Sequence, residues 1–213
     1  MNRCLICFKN VEETINNNHV CNACLKQLEV IEKVIKIDGK ECLILYKYND
    51  FFKDVLYRYK GCFDYALKDV FLTNYILKLK FKYRRRKIIC APSYFKDDKK
   101  RGFNHVKEIS KSLNLEVIDC LKKVKNYKQS DQKMSERYHI QNVIRIDKTK
   151  LKGVKRVLIV DDVTTSLSTL KTIIRLLPTN IDIKILVLAS NCRFVENKKI
   201  WLELKKLLIF LGK

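Results

Sequence analysis

The chain is short of acid: 23 Asp and Glu stand against 45 Lys and Arg over 213 residues, a formal charge of +22. Such a balance disfavours cationic partners and favours polyanions, whether nucleic acid or phosphorylated metabolites. A lysine-rich genome would write the same letters. No apolar run approaches the ~18 residues needed to cross a bilayer, so a membrane span is not expected. Met1-Asn2-Arg3-Cys4 opens without an apolar stretch of the secretory kind, and a cytoplasmic location is expected. In a reducing compartment the nine cysteines then read as metal ligands or buried thiols before disulfides. Glycine and proline are scarce, five and two, and the few present mark boundaries.

Cys4-Leu5-Ile6-Cys7 and Cys21-Asn22-Ala23-Cys24 form two Cys-x-x-Cys pairs with thirteen residues between them. Folded back on each other, they bring four thiolates to one tetrahedral centre, the preference of structural Zn²⁺. Such a closed site leaves no position for substrate, so the metal organises a module and does no chemistry. His19, in the polar linker between the pairs, reads as a neighbour or as plain surface. Leu25, Leu28, Ile31 and Ile35 recur at helical intervals, which predicts a helix to residue 35. A zinc module over 1–35 and a main domain over 36–213 follow. Asp38-Gly39 between two apolar runs predicts a hairpin turn.

Residues 49–81 read as helices broken near Gly61, with the aromatic stripe facing the core. The run Lys78 to Lys87 holds seven basic residues in ten and two aromatics. Interleaved charge and ring faces suit single-stranded nucleic acid, and a charged helix end with a solvated loop fits equally. Lys87 to Ala91 reads as a buried strand ended by Pro92. A loop through Asp97 and Asp98 then leads to Arg101-Gly102-Phe103-Asn104 and a helix from Val106. Leu115–Ile118 and Val143–Ile146 are short strand candidates around a polar segment. Ile181–Leu188 is another strand. The tail from Lys198 to Leu211 has Trp201 and leucines at helical spacing, suited to a docked amphipathic helix or a membrane surface.

The densest chemistry lies at 156–170. Val157-Leu158-Ile159-Val160 reads as a doubly covered strand. It is followed by Asp161 and Asp162, a run of hydroxyl side chains, and a periodic apolar segment. Ligands of open α/β sheets bind outside the carboxyl ends of strands, and a helix N-terminus offers N–H groups to an anion. The acids could also be plain helix caps.

Val157-Leu-Ile-Val-Asp-Asp-Val-Thr-Thr-Ser-Leu-Ser-Thr-Leu170 resembles the phosphoribosyl-diphosphate (PRPP) motif of type I phosphoribosyltransferases. The resemblance implies a parallel α/β sheet flanked by helices. It assigns Asp161 and Asp162 to the ribose hydroxyls as the catalytic pair, and Thr164, Thr165, Ser166, Ser168 and Thr169 to the 5′-phosphate. Leu167 departs from it, standing where the family carries a glycine able to adopt positive φ. The knuckle pairs, Tyr59-Lys60-Gly61, Arg101-Gly102-Phe103-Asn104, the Gln129-Ser130 to Glu136-Arg137 segment and the Asp-Asp motif, in this order, resemble the competence protein ComF family. Ala91-Pro92-Ser93 and the displaced Asn142 are further departures.

That resemblance implies a phosphoribosyltransferase-like protein with a zinc finger, linked to DNA uptake in natural transformation and engaging single-stranded DNA or proteins of the uptake machinery. An active enzyme using PRPP and Mg²⁺ on a nitrogen nucleophile is the rival reading. Arg101, Gln129 and Arg137 are then candidates for the pyrophosphate or for a flap that closes over the ribose. A solvated loop is the alternative for 129–137.

Overall fold

The computed structural model describes residues 2–11, 20–124 and 144–191. His19, Gln129, Ser130, Glu136, Arg137, Asn142 and the amphipathic tail lie outside them. At the N-terminus, β1 (Asn2–Arg3) pairs antiparallel with β2 (Asn10–Val11), and α1 (Asn22–Gln27) starts just after Cys21 and carries Cys24. The helix expected as far as residue 35 stops at Gln27, and β3 (Val30–Ile37) replaces its second half. The spacing that suggested a helix is ambiguous there. Ile31 and Ile35 are four apart, which is one turn of a helix and also two full repeats of a strand. Rich in β-branched residues, the segment takes the strand.

Asp38 and Gly39 turn the chain at φ +46° and +78°, the double positive φ of a tight hairpin, into β4 (Lys40–Lys47). Next comes α2 (Asp50–Lys60), whose first turn is capped by Asn49 Oδ1 accepting the Phe52 N–H at 2.8 Å. Gly61 ends it at φ −97°, so steric room explains the glycine: an added Cβ would stand 2.8 Å from the Tyr57 carbonyl oxygen. Short 3₁₀ turns at Tyr65–Asp69 and Thr73–Tyr75 lead to α3 (Ile76–Tyr83) and β5 (Lys87–Cys90). The loop expected after β5 contains a helix, α4 (Phe95–Arg101), before α5 (His105–Lys111). β6 (Leu121–Lys123) and β7 (Ile144–Ile146) form a separate antiparallel pair. The chain then runs through β8 (Arg156–Thr164), α6 (Ser168–Leu176) and β9 (Asp182–Ser190).

The central sheet has the order β3-β4-β9-β8-β5. Its last four strands are parallel, and β3 is an antiparallel edge. The fold is therefore α/β with a mixed sheet: the expected parallel sheet carries the expected hairpin's first strand, β3, at its edge, because a two-residue turn can only join antiparallel strands. The segment 115–118 contributes a bridge from Val117 to Ile88 beside β5.

Alternation along β8 divides the core. Leu158 and Val160 face a cluster with α2, α3 and α5, while Val157 and Ile159 face α6. The aromatic stripe is core, with Phe52, Tyr59 and Phe71 fully buried and the Phe52 and Phe71 ring centroids 5.4 Å apart. Each such ring contributes about 1.5–3 kcal/mol by burial. Among the described residues no helix is long and apolar enough to cross a membrane.

Candidate metal centre and ligand crevice

The four cysteines converge. The Sγ atoms of Cys4, Cys7, Cys21 and Cys24 lie within 4.8 Å of one another, with Cys7 and Cys21 3.7 Å apart. Tetrahedral zinc with bonds of about 2.3 Å requires sulfur–sulfur edges of about 3.8 Å. Burial pushes the Cys4 thiol up, but hydrogen bonds from the backbone of Cys7, Cys21 and Ile6 outweigh it and bring it down to about 6; the Cys21 N–H stands 3.4 Å from its sulfur. Cys24 is pushed far up by burial and by its bonds to Cys21 and Cys7. Four thiolates at this spacing need a cation among them, and the donor set fits a metal such as zinc. Arg58 of α2 ties the knuckle to the main body, donating from Nη1 to the Ile6 carbonyl at 2.6 Å and from Nη2 to that of Leu5 at 2.9 Å.

The acids were expected at the carboxyl end of the strand. β8 runs on to Thr164, so Asp161 and Asp162 lie among its last paired residues and are buried. Burial raises the Asp161 carboxyl well above the usual range, and the neighbouring Asp162 charge raises it further. Burial acts on Asp162 in the same sense, but the Lys60 ammonium and then His105 outweigh it and hold that carboxyl well below the range. Lys60 Nζ donates to Asp162 Oδ2 at 2.8 Å, and His105 Nε2 stands 3.1 Å from the same oxygen. Burial lowers Lys60, yet the Asp162 charge leaves it raised on balance. The two neighbouring carboxyls are thus shifted in opposite directions, Asp161 up and Asp162 down.

Neither Lys60 nor His105 was foreseen as a site residue. Tyr59-Lys60-Gly61 marks only a helix break in the sequence, and His105 follows Arg-Gly-Phe-Asn without a partner in view. Arg101 is where that motif led, but it acts as a bracket. Its Nε donates to the Lys60 carbonyl at 2.9 Å and its Nη1 to Asp98 Oδ1 at 2.9 Å. Asn104 caps α5 through the Lys107 N–H and donates to Ser93 Oγ and Asp98 Oδ2. A cavity of about 530 Å³, rimmed by Ser93, Asp98, Asn104, Lys107, Lys122 and Lys123, opens beside β5 and stops short of the acids.

Of the hydroxyl residues, Thr164 is buried at the strand end, where its carbonyl accepts from Ser190 Oγ at 3.1 Å. Thr165 and Ser166 are exposed, and Ser166 Oγ lies 2.8 Å from Ser168 Oγ. Leu167 takes φ +59°, ψ 0°, the left-handed conformation that a glycine there would supply, and opens α6. Ser168 and Thr169 start that helix, where backbone N–H groups lack partners in the chain.

The basic run lies at the other end of the parallel strands, where β5 and β8 begin. Tyr83 is buried, which removes it as a stacking face, while Phe81 is 73% exposed with the Arg84 guanidinium 4.5 Å from its centroid. Lys78 pairs with Glu32, Lys82 with Glu41, and Arg86 with Asp182 and nearby carbonyls. Arg84, Arg85 and Arg156 border a hollow of about 270 Å³ beside Phe81.

No family model matches the chain. A curated competence protein does align with it. Competence protein ComFC of Streptococcus pneumoniae (strain ATCC BAA-255 / R6) is 29% identical over 133 residues, which is 62% of this chain and 60% of that protein. The ComF resemblance carried by the motifs therefore has a distant homologue behind it, one of which this chain spans less than two thirds.

Proposed function

We propose that this chain is a ComF-like protein of DNA uptake and natural transformation, built on a phosphoribosyltransferase-type sheet with a ribose-phosphate crevice and a zinc-stabilised knuckle. The observation that carries the crevice is the pair Asp161 and Asp162, buried at the carboxyl end of β8 and running into a hydroxyl loop whose left-handed residue opens α6. In this reading Asp162 and Asp161 each accept from one ribose hydroxyl, and Thr165, Ser166, Ser168 and Thr169 donate to the phosphate with the first N–H groups of α6. Zinc at the four cysteines supplies folding free energy to the knuckle. Single-stranded DNA, or an acidic surface of an uptake partner, meets Phe81, Arg84, Arg85 and Arg156 at the opposite edge. A cytoplasmic setting suits the reduced cysteines.

The rival reading is a working transferase, moving ribose 5-phosphate from PRPP to a nitrogen nucleophile. It gains from Leu167, which keeps the loop in the conformation the family builds with glycine. Mg²⁺ would neutralise the departing pyrophosphate. Among the described residues no second cluster of metal-donor side chains exists, so the ion would arrive on the ligand's own phosphates. Calorimetric titration of the zinc-loaded protein with PRPP and Mg²⁺ tests both readings against Asp161→Asn. Binding lost in the variant supports the crevice, and pyrophosphate release with an amine acceptor would then favour the enzyme. No binding at millimolar PRPP overturns the crevice and leaves the DNA role to stand alone.

A further inference from the structure

The contacts of Asp162 divide unevenly among the elements around it. Its Oδ1 accepts the Val163 N–H at 2.8 Å, and its Oδ2 accepts from Lys60 of α2 and His105 of α5. Asp161 is its neighbour on β8, Arg101 of α4 stands behind His105, and Tyr48 faces Lys60 from the link between β4 and α2. Arg101 Nη1 lies 3.3 Å from His105 Nδ1. A guanidinium can only donate, so Nδ1 is the acceptor and the ring proton sits on Nε2, directed at Asp162. Lys60 brings a formal positive charge into direct contact with this buried carboxylate.

We propose that Lys60 is a positioning residue of the crevice, whose ammonium keeps Asp162 ionised and its Oδ2 aimed, so that the acid pair can receive a vicinal diol. The ligand part of this inference rests on the ribose-phosphate reading, while the state of Asp162 does not. Lys60 is suited to the task by where it stands. It is the last residue of α2, its carbonyl is pinned by Arg101 at 2.9 Å, and its side chain is 38% exposed. Asp162 itself is buried, so a diol would meet the acid pair past the partly exposed Lys60 side chain.

The test compares wild type, Lys60→Arg, Lys60→Met and Lys60→Gln, which keeps a neutral donor. Ribose 5-phosphate binding is measured from pH 4.5 to 8 by calorimetry. Wild type should show no acid limb from Asp162 in this range, and Lys60→Met and Lys60→Gln should bring one into it, because loss of a close cation raises a carboxylate. Lys60→Arg should restore the wild-type profile. A fall in affinity by the same factor at every pH would make Lys60 structural only and overturn the proposal.

Carboxylate ¹³C titration of the ligand-free proteins, with Asp162→Asn for assignment, gives the second readout. Asp162 should stay ionised through pH 4.5 in wild type and take up a proton above that pH in Lys60→Met. Unchanged ionisation in the variant overturns the proposal even if ribose 5-phosphate binds. If wild type binds no ribose phosphate, the crevice reading fails, and this titration still decides the role of Lys60.

Discussion

Leu167 holds a backbone conformation that costs a residue with a Cβ about 1–2 kcal/mol. Its half-buried side chain, packed against the α6 face of the core, recovers a similar amount, about half the value of a fully buried leucine. Leu167→Gly should therefore leave the unfolding free energy within about 1 kcal/mol of wild type, where a leucine in ordinary backbone loses about 2–5 even on truncation to alanine. Urea unfolding measures it, and a loss in that larger range would mean that the backbone is not strained.

The adjacent acids behave oppositely with pH. The folded-state value of Asp161 lies above the unfolded one, so its ionisation opposes folding as pH rises from about 3.9 through the folded value. Asp161→Asn should accordingly stabilise the protein near neutral pH and change little at pH 3. Asp162 is depressed, so its contribution is present above the unfolded value and lost only as pH falls through a folded value below the carboxylate range. Asp162→Asn should cost about 2 kcal/mol near pH 7, below the usual figure for a broken buried pair because Lys60 is partly solvated. Denaturant unfolding at pH 3, 5 and 7 separates the two, and matching pH profiles would contradict the assignment.

At the scale of elements, the knuckle is the part most dependent on a ligand. β1 and β2 are two residues each and α1 is six, too little to stand without a staple. Cys4→Ser should lower zinc content and remove hydrogen-exchange protection from residues 2–11 and 20–28, while β8 and β9 stay protected. The melting temperature should fall as well, because Cys4, Ile6, Cys24 and Leu28 pack in the same cluster as Phe52 and Leu56. Zinc retained with an unaltered exchange pattern would show that the cysteines are merely buried thiols.

Which elements were legible follows from the same physics. β5, β8, α6 and β9 announce themselves as apolar runs bounded by charge or proline. β3 does not, since a four-residue interval serves both periodicities. α4 was invisible because it buries nothing and so carries no stripe. The acids and the hydroxyl loop were readable from consecutive residues. Lys60 and His105 were not, since they reach Asp162 across 102 and 57 residues, and a lysine among so many bases gives no signal of its own.

Across the whole molecule, the parallel strands separate two surfaces of different character. The acids stand at the carboxyl ends, and Arg84, Arg85 and Arg156 at the amino ends. Between Arg156 and Asp162 the strand advances about 20 Å at about 3.3 Å per residue, about two and a half times the screening length at physiological salt. Nucleic acid held at the arginine edge should therefore leave ribose-phosphate affinity nearly unchanged. Its own binding should carry the signature of counterion release, with a slope of log K against log salt near −0.7 for each phosphate neutralised on a single strand. Replacing Arg84, Arg85 and Arg156 together by Gln should flatten that slope by about 2, and Phe81→Ala should weaken binding with the slope intact, because stacking releases no counterions. Oligothymidine titrations at several salt concentrations decide it: a slope unchanged by the triple replacement would mean that the excess charge acts diffusely over the surface, with no track for the strand at this edge.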